Sequence, residues 1–311
     1  MDMEATPKLP SPLRGKRQDG GEQGGGALLA KLPLFFGAIR FQESVFALPF
    51  AYTGMVLAAD GWPAWSTFAW TTVAMVGART LGMAANRIID RHIDAKNPRT
   101  KARHLPAGKL KTWDMLALSA VALGVFLFAA SQLNGFALAL APVAAAYLVA
   151  YPYTKRLTWL ANLLLGWALA IAPSAAWIGV RGSLSWEPVL LSLAVALWAG
   201  SFDILYHTPD FEFQRKEGLH SVAERFGVRG AFWWARTMDV LAAAALLALG
   251  LWMGLAWPYY IGLAVAVAAL AYKHTLVSPN DLSRMGIAFF RINAYVSTAI
   301  FAATLAAVLA Y

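Results

Sequence analysis

The sequence predicts an all-α membrane protein with nine transmembrane helices, and three observations carry that reading. Hydrophobic residues make up 59% of the 311 residues and charged ones only 14%, whereas a soluble domain carries about a quarter charged residues. Apolar stretches of about 20 residues recur along the chain, the length that crosses a bilayer as a helix. Lysine and arginine concentrate in alternate loops, the asymmetry that orients helices in a membrane. Strands are not expected, because open sheet edges cannot face lipid.

Residues 1–26 are polar, rich in Gly and Pro, and carry Arg14, Lys16 and Arg17. No apolar core of signal-peptide length follows them, so they read as a disordered cytoplasmic tail. Residues 27–311 read as a single transmembrane domain. The first span is expected at 34–59, with Arg40, Gln42 and Glu43 inside it and Pro49 as a source of a kink. The second, at 64–85, delivers an acidic motif, and a basic loop follows at 95–111. Spans at 112–131 and 135–151 meet at a tight turn, Gln132-Leu133-Asn134-Gly135. A short basic loop, Tyr151-Pro152-Tyr153-Thr154-Lys155-Arg156, leads to spans at 159–180 and 187–208. The sixth span delivers a second acidic motif, and a second large loop occupies 209–230. The last three spans are expected at 231–254, 257–273 and 285–310. The loops after the even-numbered helices hold nearly all the lysines and arginines, and the opposite loops hold only Arg181. The positive-inside rule then puts the N-terminus and both motifs in the cytoplasm and the C-terminus outside, in a multi-pass protein of the cell's inner membrane.

There is no cysteine, which excludes disulfides and cysteine-ligated zinc. The net charge of +9 fits cytoplasmic loops and contacts with anionic lipid or phosphate. No nucleic-acid motif is present.

The first motif is Asn86-Arg87-Ile88-Ile89-Asp90-Arg91-His92-Ile93-Asp94. Asn86, Asp90 and Asp94 are spaced by four and share one helix face. Stacked at the membrane rim, these oxygens suit a Mg²⁺ ion that also touches phosphate oxygens. A solvated helix end is the plainer reading of such a spacing taken alone. A second cluster, running from Asp203 to Lys216 and including Tyr206, Asp210, Glu212 and Gln214, also closes an apolar run. Two acidic helix ends, each followed by a basic loop and a helix pair, form a weak internal repeat. Parallel repeats would bring the motifs face to face across a central cavity. Facing carboxylates repel unless cations lie between them, which Mg²⁺ supplies while keeping positions for substrate phosphates. Nearby lysines and arginines then grip the remaining phosphate oxygens. A diphosphate held this way leaves an allylic carbon readily, and aromatic faces and a dry wall stabilise the carbocation.

These residues resemble the UbiA superfamily of membrane prenyltransferases. The resemblance rests on Asn86-x-x-x-Asp90-x-x-x-Asp94, Asn97-Pro98-Arg99-Thr100, Arg103-His104-Leu105-Pro106-Ala107-Gly108, Tyr151 to Arg156, and Asp203 to Gly227 with Lys216-Glu217-Gly218 and Arg225-Phe226-Gly227. It covers nearly everything from about residue 34 onward. It implies nine helices around a central cavity, Mg²⁺ dependence, and transfer of a prenyl chain from a diphosphate to an acceptor. Asn86, Asp90 and Asp94 would hold one Mg²⁺–diphosphate unit, and Asp210, helped by Glu212 and Gln214, the other. Lys155 and Arg156, with Arg99, Arg103 and Lys216, would bind the diphosphate. Asp203, Tyr153 and Tyr206 would line the cavity.

Two positions depart from the family pattern. Arg87 stands where Asp is frequent, and it either contacts phosphate or simply flanks the membrane. Gln214 stands where the second motif usually ends in Asp, keeping an oxygen without its charge. The stretches Arg40 to Ala51 and Asn86 to Asp90 look most like the 4-hydroxybenzoate polyprenyltransferase-like branch, tied to ubiquinone or menaquinone biosynthesis, the latter by the futalosine route. The resemblance therefore implies polyprenyl diphosphate as donor and an aromatic acid, 4-hydroxybenzoate or a dihydroxynaphthoate, as acceptor. The acceptor's carboxylate needs a cation, for which Arg40 is the expected partner. The competing class is a transporter or lipid-binding protein using Arg79, Asp203 and His207. Against it, the acidic residues cluster at two helix ends instead of the midplane. A CDP-alcohol phosphatidyltransferase is disfavoured because its glycine-bearing acidic signature is missing.

Overall fold

The structure, a computed structural model, describes residues 31–40 and 48–310. The tail expected at 1–26, together with Gln42 and Glu43, lies outside them. The described residues form helices α1 (Leu32–Ala38), α2 (Leu48–Ala59), α3 (Trp65–Lys96), α4 (Thr112–Leu133), α5 (Gly135–Ala150), α6 (Ala161–Arg181), α7 (Trp186–His207), α8 (Phe211–Lys216), α9 (Val222–Trp252), α10 (Trp257–Leu276) and α11 (Ile292–Leu309). No strand occurs among them, only one isolated bridge between Ser278 and Asp281.

Among the described residues, six helical segments are long and apolar enough to cross a membrane: Thr112–Leu133, Gly135–Arg156, Ala161–Arg181, Trp186–Lys216, Val222–Trp252 and Ile292–Leu309. The helices outside that set have identifiable reasons for it. α2 has 12 described residues, α3 is charged along its second half, and α10 ends in Tyr272, Lys273 and His274.

The 32 residues of α3 span about 48 Å at 1.5 Å per residue, well beyond a hydrocarbon core of about 30 Å. The helix does not stop at residue 85, where the second span is expected to end. It carries the whole Asn86–Asp94 motif on a rigid extension. Pro49 is the second described residue of α2, and the residues before Leu48, against which a kink there would be judged, lie outside the described ones. The loop expected at 209–230 is also partly helical. A 3-10 turn at Thr208–Asp210 passes into α8, and α9 begins at Val222. Gly227 breaks α9 near its start with φ 72°, ψ 172°, a conformation suited to glycine. Ser221 caps the first turn by accepting from the Glu224 amide at 3.0 Å, satisfying a donor the helix leaves unpaired.

Helix pairs pack through small residues. A Cβ at Gly54 would collide with the Pro173 carbonyl of α6, and one at Gly166 with the Ala196 carbonyl of α7. Close backbone approach of this kind holds helices together in lipid, where hydrophobicity does not drive them together. The largest core cluster joins α7, α9, α10 and α11 around Trp198, Phe202, Phe232 and Tyr259. Trp198 donates its indole N–H to Asn293 at 3.1 Å. The result places the ends of α3 and α7 on opposite walls of one cavity.

Candidate active site

A cavity of about 180 Å³ lies between the end of α3, the 97–110 loop, the Tyr151–Arg156 turn and the end of α7. Asn86, Asp90 and Asp94 line it from α3. Asp203, Tyr206 and Asp210 line it from the opposite wall. The two motifs, more than a hundred residues apart, are thus brought together.

Each carboxylate at this cavity has a polar or cationic partner. Asp90 is 2% exposed and is gripped by Lys155 and by Arg156, whose Nη2 stands 3.2 Å away. Arg103 donates to both oxygens of Asp94 at 2.8 and 2.7 Å. Arg99 forks onto Asp210, with Nε 2.9 Å from Oδ1, and Asn97 donates to the same oxygen at 3.1 Å. Burial works against the charge on Arg99, yet the hydrogen bonds it donates to Asp210 and the charge of that carboxylate outweigh it and raise the guanidinium above its ordinary range. The Tyr206 ring lies beneath Arg99, 4.8 Å from its guanidinium carbon. Asp203 accepts from Asn162 at 2.8 Å and faces His207 at 3.1 Å. Asn162 in turn accepts from the Val222 amide at 3.2 Å, which ties this wall to the start of α9.

The lining holds six cationic side chains (Arg40, Arg79, Arg87, Arg99, Arg103 and Lys155) against four carboxylates (Asp90, Asp94, Asp203 and Asp210). That excess suits a polyanionic occupant. The cations expected between facing carboxylates are, in this structure, guanidinium and ammonium groups. No three acidic or histidine side chains among the described residues stand close enough to hold a metal ion. An ion here would therefore complete its shell with substrate oxygens. The all-oxygen donors Asn86, Asp90, Asp94 and Asp210 fit Mg²⁺ on those terms, because Mg²⁺ usually takes one or two carboxylates plus waters and phosphates.

Arg87 is buried at 7% exposure and donates to the Ala38 carbonyl at 3.0 Å and to Asn86 at 3.2 Å. It anchors α1 to α3 as well as lining the cavity. Arg40 has φ 50°, an uncommon backbone state for a non-glycine residue, and donates to the Tyr206 hydroxyl at 3.4 Å. Gln214 is buried in the lining, but its amide oxygen accepts from Ser221 at 2.6 Å. Four residues expected at the site stand outside the cavity lining. Glu212 and Lys216 are exposed on α8. Glu212 lies two residues from both Asp210 and Gln214, so on a helix it points to the other side. Tyr153 is 50% exposed and packs under Arg156 at 5.5 Å. Arg156 reaches Asp90 from behind.

Arg79 was not among the residues expected at the site, yet it lines the cavity. It stands seven residues before Asn86 on the same face of α3, a spacing that extends the motif by two turns. Its position inside an apolar run hid it. Tyr151 and Asn97 also line the cavity, each inside a motif named for other residues.

Fold and site together define a multi-pass helical membrane protein with a buried, cation-rich pocket at one end of the bundle. Residues 47–295 match the sequence model of the UbiA prenyltransferase family. A 4-hydroxybenzoate octaprenyltransferase from Cupriavidus necator is 33% identical over 285 residues, covering 89% of this chain and 98% of the relative. The same-named protein of Cupriavidus pinatubonensis is 31% identical, covering 88% and 96%. Among solved structures, a UbiA homolog from Aeropyrum pernix in its apo form superposes with a TM-score of 0.78 at 30% identity, covering 85% of this chain and 97% of that one. A UbiA homolog from Archaeoglobus fulgidus, bound to DMAPP and Mg²⁺, shares the fold with a TM-score of 0.61 at 19% identity, covering 86% and 98%. The chain belongs to the UbiA prenyltransferase family. That membership decides against the transporter and lipid-binding alternatives.

Proposed function

We propose that this protein transfers a polyprenyl chain from polyprenyl diphosphate to an aromatic acid, 4-hydroxybenzoate or a dihydroxynaphthoate, in a Mg²⁺-dependent step of quinone biosynthesis. The observation that supports it best is a series of three adjoining cavities. The polar one shares Arg79, Met83, Tyr151 and Leu169 with an apolar one of about 80 Å³. That second cavity shares Met75, Ala78, Leu148 and Ile171 with a third of about 380 Å³, lined largely by apolar side chains such as Phe126, Leu140 and Trp167. A charged head and a long hydrocarbon tail match this sequence of walls. The names of the curated relatives support the same acceptor class.

In this reading Lys155, Arg99 and Arg103 pass from Asp90, Asp210 and Asp94 to the diphosphate oxygens when substrate enters. Mg²⁺, when bound, would supply charge neutralisation to the leaving diphosphate. Asn86, Asp90 and Asp94 would hold one ion and Asp210 the other. The allylic C–O bond breaks with its electron pair leaving on the diphosphate, a ring carbon of the acceptor bonds to the allylic carbon, and the ring's proton passes to the released diphosphate. Arg79 stands at the seam between polar and apolar cavities, where an acceptor must meet the allylic carbon. It joins Arg40 as a partner for the acceptor's carboxylate, since charge-assisted pairing orients such a group.

The nine-span count, a single domain over 27–311, an inner-membrane location and a cytoplasmic site belong to the same proposal. A tag at residue 1 on the cytoplasmic side and one after Tyr311 outside would support that topology, and both on one side would overturn it. The test of function is incubation of purified protein with labelled polyprenyl diphosphate, Mg²⁺ and a panel of aromatic acids. Labelled 4-hydroxybenzoate or dihydroxynaphthoate product supports the reading, and no transfer to any aromatic acid refutes it.

A further inference from the structure

The outer face of α9 carries charges that the catalytic cavity does not use. Arg229, Trp233, Arg236 and Val240 follow one another at helical spacing, and all four are exposed. Among the described residues, neither Arg229 nor Arg236 has a hydrogen-bond or ion-pair partner. From Arg225 to Trp252 the only acidic residue is Asp239. Asp239 is buried against α10, where Lys273 and His274 hold it at 2.7 Å each, so its charge is already spent.

The same face gives its own depth scale. Beyond Arg236 it is apolar, with Val240 68% and Leu251 66% exposed, and it ends at Trp252. From Arg236 to Trp252 the helix rises about 24 Å, close to the thickness of a hydrocarbon core. Arg236 therefore stands at the edge of the hydrocarbon, on the side where the polar cavity opens. From there its long side chain can reach up to the phosphates. Arg229 lies two turns higher, at headgroup level. Trp233, 72% exposed, lies between them. Beside this face, Trp159, Phe226 and Trp234 form a ring cluster with centroids 5.2 to 5.7 Å apart, the kind of amphipathic group that settles at the membrane interface.

We propose that the Arg229–Trp233–Arg236 face of α9 is a binding site for the headgroup of an anionic phospholipid. Among the described residues, two guanidinium groups without a partner stand on one face, one at the hydrocarbon edge and one at headgroup level, and no exposed carboxylate of this face balances them. Phosphatidylcholine also offers a phosphate, but its own cation offsets it. The site therefore discriminates by net charge.

Purified full-length protein in micelles doped equally with phosphatidylglycerol and phosphatidylcholine tests this by native mass spectrometry of the retained lipid. Wild type should retain phosphatidylglycerol over phosphatidylcholine by about thirtyfold, the size expected for two arginines at about 1 kcal/mol each at a membrane surface. Arg229→Gln/Arg236→Gln should bring the ratio near unity, while Arg229→Lys/Arg236→Lys should keep most of it. If the double glutamine variant aggregates, Arg236→Gln alone is measured and should lower the ratio several-fold. Equal retention of the two lipids by wild type, or an undiminished preference in the glutamine variants, overturns the proposal.

Discussion

The Arg99 guanidinium meets the Asp210 carboxylate side by side, with Nε 2.9 Å from Oδ1 and Nη2 on Oδ2, while Tyr206 stacks beneath it. This fork joins the basic loop after α3 to the second acidic motif. It pairs Asp210 with a guanidinium, as Lys155 pairs Asp90 and Arg103 pairs Asp94. Arg99→Lys keeps the charge but loses the two-pronged geometry. The KM for prenyl diphosphate should rise about tenfold or more, with a smaller fall in kcat, because a charge-assisted bidentate contact is lost at binding. Steady-state kinetics in prenyl diphosphate decide it, and an unchanged KM would remove Arg99 from the diphosphate site.

Chelation tests the metal. Asn86, Asp90, Asp94 and Asp210 line the cavity with the oxygen ligands that a Mg²⁺ ion shares with diphosphate. EDTA should abolish prenyl transfer and added Mg²⁺ should restore it. Full activity in chelator would mean that the arginines and Lys155 alone stabilise the leaving group.

Asp90 and Asp210 stand on opposite walls, each buried and each holding cations. Asp90→Asn and Asp210→Asn should each cut kcat by orders of magnitude, since metal-held charge stabilisation is worth several kcal/mol. Both variants should remain folded, because asparagine keeps the shape and still accepts a hydrogen bond. Wild-type turnover in either would make that residue a structural anchor for Lys155 or Arg99.

How much of this was legible in the sequence follows from how each residue announces itself. Asp90, Asp94, Asp203 and Asp210 end apolar runs, so the change in character marks them. Arg79 lies inside such a run, and only its heptad spacing from Asn86 betrays it. Lys273 and Asp239 are 34 positions apart on different helices, and no spacing rule pairs them. Glu212 and Lys216 show the opposite failure. They fall within a motif by sequence but face solvent, because α8 alternates its sides within a few residues. Apolar length ends the second span at residue 85, short of Lys96, because a charged extension and an apolar span share one continuous helix.

Lys273 is 1% exposed and bonds to Asp239 at 2.7 Å and Ser201 at 3.2 Å. One oxygen of Asp239 is buried with no partner among the described residues. Lys273→Met would leave Asp239 with His274 alone. Breaking a buried pair by removing one partner typically costs about 3–5 kcal/mol, whereas replacing both with apolar residues is often neutral. Thermal unfolding in detergent should therefore show a large loss for Lys273→Met and recovery in Lys273→Met/Asp239→Leu. Equal losses in the two variants would mean that packing volume, not charge, sets the stability here.

Gln214 offers the most specific test, because this chain has an amide where the resemblance leads one to expect a carboxylate. Its oxygen is not turned to solvent. It accepts the Ser221 hydroxyl at 2.6 Å, and Ser221 caps α9 through the Glu224 amide. Gln214 therefore links the cavity lining to the start of the helix behind it. Gln214→Glu keeps the length, so one oxygen can still accept from Ser221 while the other faces the cavity. A second negative charge beside Asp210 is unfavourable without a cation, so any gain should appear only with Mg²⁺. The Mg²⁺ concentration for half-maximal activity should fall in Gln214→Glu, with thermal stability kept. Gln214→Asp is shorter and withdraws from Ser221. It should also lower the Mg²⁺ requirement, but at a cost of about 1 kcal/mol, comparable to a weakened helix cap. Magnesium titrations that overlay wild type in both variants, with stability lost only in Gln214→Asp, would leave Gln214 as a support for the α9 cap and not as a member of the metal site.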